Sequence, residues 1–543
     1  MPKSSGQGEN PKQTAPLRGK PAKGVSAVLL ALVLGLVAYA LRAYDIGAAD
    51  ISFDEDLNLA AVQKPFGEVL PFVTPRPPLA FVAQWIAVRA TGRHDITVLR
   101  QTSAFEGALA VLVLFGFAYR LGGMPLAALA GLLLCFSHFH FVYCRIARYY
   151  PMLTLTCIAF LWCYWEGLTR QRLMLLAGLF PLALLVAWSH QSGNLFLTAC
   201  VFALPVFVLS RGWWALAKSA PKLAGCVLAG AAVAAGVFAY ALRAELARTL
   251  RVIAASSEAD KLTAYFDIAP AFLLGRLDDY TGVPMPYIWG VAALIGLGLL
   301  YLVVRKPRLA VLLVSTLVVP FALIYVLRPQ NQWRAKYFIY MIPSIILLES
   351  YAVVLVTRGV GAMARSGRRR VLEIACGVVL AGALCTPNAL RMRDEYRYPC
   401  TPHQDAAAVL NDGVKPGDEI RYTLGFVATR PDLDQWDRWA SMRHYFSASE
   451  AGATIRYLDP DEELAWPIDA VPRRWCMHGG YWHTSEPIAR QFYSNQFSRL
   501  AYERLFLGFG PNTQGIVFGQ NYPGAPDADK LLRIPCGATA RVE

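Results

Sequence analysis

Apolar residues fall along this chain in long blocks, separated by short basic loops. The blocks lie at about 25–41, 103–119, 124–141, 150–168, 173–190, 194–210, 223–242, 286–304, 309–327, 337–356 and 371–388. Each is close to the length that crosses a hydrocarbon core of about 30 Å, so the pattern predicts about eleven transmembrane helices. Between the first two blocks, residues 45–102 read as a long polar loop. Within it, residues 77–88 are too short to span and predict a helix lying at, or dipping into, the interface.

The ends of the chain have a different character. Residues 1–24 are rich in Lys, Pro, Gly, Ser and Gln and predict a disordered tail. A basic start with a modest apolar core is also the make-up of a cleavable signal peptide, with Ala38-Tyr39-Ala40 as its cleavage site. The many spans that follow make anchoring the simpler reading. Residues 389–543 are polar and mixed, with helical stretches at 403–411 and 487–495 and strand-like pieces at 419–426, 454–458 and 515–518. The turn Lys415-Pro416-Gly417-Asp418 separates helix from strand. The expected fold is a multi-pass α-helical membrane protein, spanning in residues 25–388, with a C-terminal extracytoplasmic α/β domain over 389–543.

Charge sets the orientation. A cytoplasmic N-terminus also places inside Arg120, Arg170 with Arg172, Arg211 with Lys218, Arg305-Lys306-Pro307-Arg308, and Arg365 through Arg370. These short basic loops follow the positive-inside rule. An odd number of spans then puts residues 389–543 outside. Against that bias the outer side still holds Arg76, Arg145, Arg148, Arg276, Arg328, Arg334 and Lys336. Cations kept there suit an anionic ligand.

Composition agrees with a membrane protein. Of the 543 residues 55% are hydrophobic and only 17% charged, against about 25% charged for soluble proteins. The net charge of +14 does not point to nucleic acid, because no basic helix, zinc spacing or aromatic RNA-binding strand accompanies it. All eleven cysteines except Cys400, Cys476 and Cys536 lie in or beside apolar blocks, and no Cys-x-x-Cys pair occurs. If the C-terminal region lies outside, two of those three can pair.

Chemistry gathers on the outer side. Phe53-Asp54-Glu55 places adjacent carboxylates where the first helix leaves the membrane, and such acids suit a general base with a partner that orients an acceptor. The bland alternative is a solvated loop acid, or one neutralising a nearby Arg. Arg145 and Arg148 stand three apart, one helical turn, and on one face would suit a phosphate. Snorkelling to lipid headgroups is the competing explanation. A second cluster, Arg328-Pro329-Gln330-Asn331-Gln332-Trp333-Arg334-Ala335-Lys336-Tyr337, would close over the same phosphate. His138 and His140 have a spacing that is poor for metal ligation from one helix face. Asp432-Leu-Asp434 and Asp459-Pro-Asp461 match a nucleotide-sugar pattern that is common by chance, and no Walker or Gly-x-Ser-x-Gly motif occurs.

Phe53-Asp54-Glu55, then Arg76-Pro77-Pro78-Leu79 and Arg100 at the second span, resemble the GT-C glycosyltransferases, most closely protein O-mannosyltransferases and lipid A aminoarabinose transferases. Arg145-Ile-Ala-Arg148-Tyr149 is similar to that group's Arg-rich segment, and Arg334-Ala-Lys336-Tyr337 with Pro343 to its late Arg/Tyr helix. The likeness covers about residues 25–390. It implies a polyprenyl-phosphate sugar donor, an acceptor at the outer face of a bacterial plasma membrane, and inversion at the anomeric carbon. By position it implies Asp54 as base with Glu55 beside it. Arg145, Arg148, Tyr149, Arg334 and Lys336 would hold the donor phosphate, and Arg76, His138 and His140 would contact substrate. Two departures matter. His138 and His140 stand where the group has a second acid, which leaves divalent-metal use open. Asp56-Leu57-Asn58 replaces the His-Phe-Gly of protein O-mannosyltransferases, which favours a glycan or glycolipid acceptor over a protein. The rival class is a transporter or flippase of lipid-linked sugars, which tends to have mid-membrane polar residues and related halves. Neither feature is visible here.

Overall fold

Residues 21–49, 51, 53–73, 77–209, 285–327, 335–364 and 367–397 are described by the computed structural model. Towards the C-terminus it also describes 407, 410, 411, 414–424, 446, 447, 449–458, 474–481, 501–507, 514–520 and 539–541. The expected span at 223–242, the helical stretch at 487–495, and Arg76, Arg334, Cys400 and Cys536 lie outside the described residues.

The bundle begins with α1 (Pro21–Ala43) packed along α5 (Ile96–Gly122). Ala27, Leu34 and Ala38 of α1 are buried, while Val25, Leu29 and Leu36 are exposed apolar residues, as on a helix with one face to lipid. At Gly35 an added Cβ would come within 2.7 Å of the Leu112 side chain, which would have to shift to admit a larger residue. The N-terminus of α5 is capped by Asp95, whose carboxylate accepts the Val98 amide at 3.2 Å. Next come α6 (Met124–Cys135) and α7 (His138–Cys144), bent by 56° at the break between them. A break inside a membrane frees backbone carbonyls that must find donors. Arg42, fully buried near the end of α1, supplies them, donating to Leu134 O at 3.2 Å and Cys135 O at 3.3 Å.

The helices α8 (Tyr150–Arg170), α9 (Leu173–Ser189) and α10 (Ser192–Val208) follow, then α11 (Met285–Arg305) and α12 (Pro307–Leu327). A short 3-10 helix (Ala335–Met341) leads into α13 (Ile342–Ala362), and α14 (Arg369–Arg397) comes last. Along its most apolar stretch α13, with the turn before it, is 83% buried and α14 only 11%, so α13 is central and α14 peripheral. Among the described residues six helices are long and apolar enough to cross a membrane, or seven if the bent pair is one span; α9, α10 and α12 are shorter apolar helices. The chain is a multi-pass membrane protein.

Helix ends gather in two groups. At one end Arg120 and Arg170 both pair with Glu166, at 3.2 and 3.0 Å, and Lys306 donates to Leu121 O and to Tyr351 OH. These contacts join the C-termini of α5 and α8 to the turn between α11 and α12. At the other end the C-termini of α1, α7 and α9 meet the N-termini of α5, α8 and α10.

The stretch 45–102 departs from the expected loop. It folds into α2 (Phe53–Gln63), α3 (Phe66–Val73) and α4 (Leu79–Thr91). The expected helix at 77–88 forms as α4; Leu57, Ala61, Val69, Val73 and Phe81 make a small apolar core under one face of it, while Ile86 is exposed. Beyond α14 six strands make one mixed sheet in the order β2-β1-β3-β5-β4-β6. They are β1 (Glu419–Leu424), β2 (Thr454–Leu458), β3 (Arg474–Tyr481), β4 (Ala501–Leu507), β5 (Gln514–Gln520) and β6 (Thr539–Arg541). Gly417, at φ +87°, takes the left-handed conformation its turn requires.

Candidate active site

Of the acidic pair, Glu55 is tied into the fold. Glu55 makes a two-pronged ion pair with Arg100, both contacts at 2.8 Å and both side chains 2% exposed. Arg100 also donates to Ile46 O at 3.1 Å and Ala49 O at 2.5 Å, tying down the chain leaving α1. The Ala147 amide donates to the same carboxylate at 2.8 Å, and the Ala147 carbonyl accepts from Asn58, one turn along α2, at 2.6 Å. Asn58 donates in turn to Gln84 of α4 at 2.8 Å. One residue of the 145–149 segment is thus gripped from both sides by α2. Asp54 lies in the first turn of that helix; its side chain is outside the described residues.

The expected helical face carrying Arg145 and Arg148 does not form. Helix α7 ends at Cys144, residues 145–149 are non-helical, and the two guanidiniums part. Arg145 turns to the C-terminus of α1, donating to Arg42 O at 3.0 Å, Tyr44 O at 2.5 Å and Asp45 O at 3.3 Å. It also lies 4.9 Å over the Tyr396 ring. A cation on the carbonyl end of a helix is well placed electrostatically, and this one is occupied with the fold. Arg148 turns inward, 7% exposed, 4.6 Å over the Tyr149 ring with a contact to its hydroxyl at 3.2 Å.

From Arg148 a row of rings crosses to the other cationic segment. Tyr149 stacks on His190 at 4.4 Å, His190 stacks on Tyr337 at 5.4 Å, and the Lys336 ammonium sits 5.8 Å from the Tyr337 ring. Burial, followed by the charges of Arg148 and Lys336, pushes His190 down to about 3, so the imidazole is neutral. His190 is inconspicuous in the sequence because it ends an apolar run. The signal was the polar break Ser189-His190-Gln191-Ser192 between two spans.

Of the two histidines expected to contact substrate, His140 is engaged elsewhere. His140 Nδ1 lies 2.9 Å from Arg42 and its Nε2 3.6 Å from Cys144 Sγ, so both nitrogens face the buried break rather than a substrate. His138 is buried and its amide donates to Asn388 of α14 at 3.2 Å. Among the described residues no group of three or more His, Cys, Asp or Glu side chains is placed to hold a metal.

No family model matches the chain, and no curated protein does. Solved structures resemble it in fold. The apo oligosaccharyltransferase of Archaeoglobus fulgidus is similar with a TM-score of 0.52 and 11% identity, over 92% of this chain and 75% of that one. ArnT of Cupriavidus metallidurans in the apo state gives 0.48 at 13% identity, over 92% and 98%. AglB of Archaeoglobus fulgidus, in complex with an inhibitory peptide and a dolichol-phosphate, gives 0.47 at 11%, over 95% and 75%. At such identities the likeness is one of fold.

Proposed function

We propose that this chain is a membrane glycosyltransferase that moves a sugar from a polyprenyl-phosphate donor to a glycan or glycolipid hydroxyl at the outer face of a bacterial plasma membrane. The observation that carries this reading is the grip of α2 on Ala147. It fastens the helix that bears Asp54 to the segment that bears Arg148, at the end of the bundle where Lys336 also lies.

In this reading the acceptor oxygen attacks the anomeric carbon from the side opposite the phosphate, with inversion. The bond from that carbon to the phosphate oxygen breaks, and the prenyl phosphate leaves with an added negative charge. Arg148 and Lys336, fixed and largely shielded from water, stabilise that charge most where it is greatest. Arg334 and Arg76 are assigned to the same anion. Asp54 takes the acceptor proton, while Glu55 holds α2 in place and is not free to serve as base. Arg145, expected on the phosphate, is reassigned to fixing the end of α1. About eleven spans, a cytoplasmic N-terminus and an exterior α/β domain complete the proposal.

The test is Asp54→Asn. Surface-glycan modification, followed by mass spectrometry of cells with and without the protein, should fall by about 100-fold or more. Protein level and apparent melting temperature should stay unchanged. Near wild-type modification by this variant removes Asp54 as the base.

A further inference from the structure

His190 occupies the turn between α9 and α10, where three parts of the chain distant in sequence meet. Its Nδ1 receives the backbone N–H of Ser192 at 3.1 Å and lies 2.7 Å from the Ser192 hydroxyl. A peptide N–H only donates, so Nδ1 must carry a lone pair. In the neutral ring the proton then resides on Nε2. Among the described residues nothing accepts from Nε2–H. The ring faces are in use, stacked with Tyr149 and Tyr337, whose own rings lie under Arg148 and Lys336. What is left is a single N–H of known tautomer, held in the neighbourhood of both cations.

We propose that His190 Nε2–H is the third donor to the lipid-donor phosphate, giving a fixed hydrogen bond beside the charges of Arg148 and Lys336. The proposal rests on the donor-phosphate reading above and deepens it. Cations attract a phosphate from many directions; a single neutral N–H on a stacked ring selects one oxygen and one approach. With its protonation pushed down to about 3, the ring does not hand a proton to the leaving phosphate, which departs as the anion. His190 is therefore a binding group and not an acid.

Two substitutions separate the N–H from the ring. His190→Gln carries an amide N–H near the position of Nε2 and cannot stack as an imidazole does. His190→Phe stacks and has no N–H. With the full chain in phosphatidylcholine nanodiscs and farnesyl phosphate as probe, the glutamine variant should bind within about 3-fold of wild type. The phenylalanine variant should lose about 10-fold or more. The reverse order, with phenylalanine binding and glutamine failing, overturns the proposal in favour of stacking alone. Should both variants melt early, the wild type decides. Its 15N-histidine spectrum, with the His190 signal assigned by its loss in either variant, should have a protonated Nε2 that moves on saturation with farnesyl phosphate. An unmoved signal overturns the proposal. Arg148→Ala and Lys336→Ala keep the two readings apart. If they lose farnesyl phosphate while His190→Phe does not, only the role of His190 fails. If they too bind normally, the phosphate site itself fails. Inorganic phosphate alone should bind much more weakly than the lipid; equal affinity overturns the lipid assignment.

Discussion

Two guanidiniums three residues apart part company here, and the difference can be measured. Arg145 makes three bonds to the carbonyls that end α1, whereas Arg148 lies on a ring beside the proposed phosphate. Arg145→Ala should lower the apparent melting temperature and leave farnesyl phosphate affinity near wild type. Arg148→Ala should do the opposite. Glu55→Gln should behave like Arg145→Ala, only more severely, because breaking one half of a buried ion pair costs roughly 3–5 kcal/mol. His190 adds a pH signature. Its folded-state protonation lies near 3 and its unfolded value near 6.5, so below pH 6.5 the unfolded chain binds more protons. The stability due to a neutral His190 is present above pH 6.5 and declines as the pH falls towards 3. A melting temperature that drops more between pH 7 and 5 in wild type than in His190→Gln would confirm it. The pair Asp54-Glu55 stood out in the chain as adjacent acids beside a membrane. That Glu55 is tied down did not, because its partners, Arg100 and Ala147, are not neighbours in sequence.

At the level of elements, the stretch 45–102 explains what a pattern of polar residues hides. Read alone, Phe53-Asp-Glu-Asp-Leu-Asn is too acidic for a buried helix. Its residues 55–58 are nevertheless buried, since partners for Glu55 and Asn58 supplied from α5 and α4 change the cost of burial. The span of α8, expected at 150–168, was visible because its apolar run is long. By contrast α13 runs from Ile342 to Ala362 where 337–356 was expected, a short 3-10 helix taking up the start of that run. The break between α6 and α7 was not visible, although Ser137 and His138 sit at it, because the block 124–141 is otherwise apolar and the compensating donor comes from α1. Arg42→Met should therefore destabilise by about 1–3 kcal/mol for each group left without a donor, seen as a lower melting temperature in detergent. The strands β1, β2 and β5 followed readable β-branched and aromatic runs, whereas β3, which has no β-branched residue and contains Gly479-Gly480, did not.

For the molecule as a whole, the two groups of helix ends give the proposed topology a direct test. Arg93 is exposed beside the end that holds Arg148, and Arg172 is exposed at the far end. In cells carrying a cysteine at one of these positions, a membrane-impermeant thiol reagent should label Arg93→Cys and spare Arg172→Cys. Labelling of both, or of Arg172→Cys alone, would place the site on the inner side. The fold likeness to an oligosaccharyltransferase extends over most of the chain, and the convergence of residues 148, 190 and 336 comes from the bundle as a unit.

Arg42 carries one more implication, for the order in which the protein is made. Its main partners, the Leu134 and Cys135 carbonyls and His140, are synthesised more than ninety residues after it. Until they emerge from the ribosome, the guanidinium has the Ala38 carbonyl and whatever water it can reach, and sinking it into lipid would cost about 3 kcal/mol. The first helix should therefore ride high in the bilayer during early biogenesis and settle only when the bent segment arrives. Nascent chains halted before residue 130 should leave a cysteine at Ala43 open to aqueous reagent, and chains extended past residue 150 should protect it.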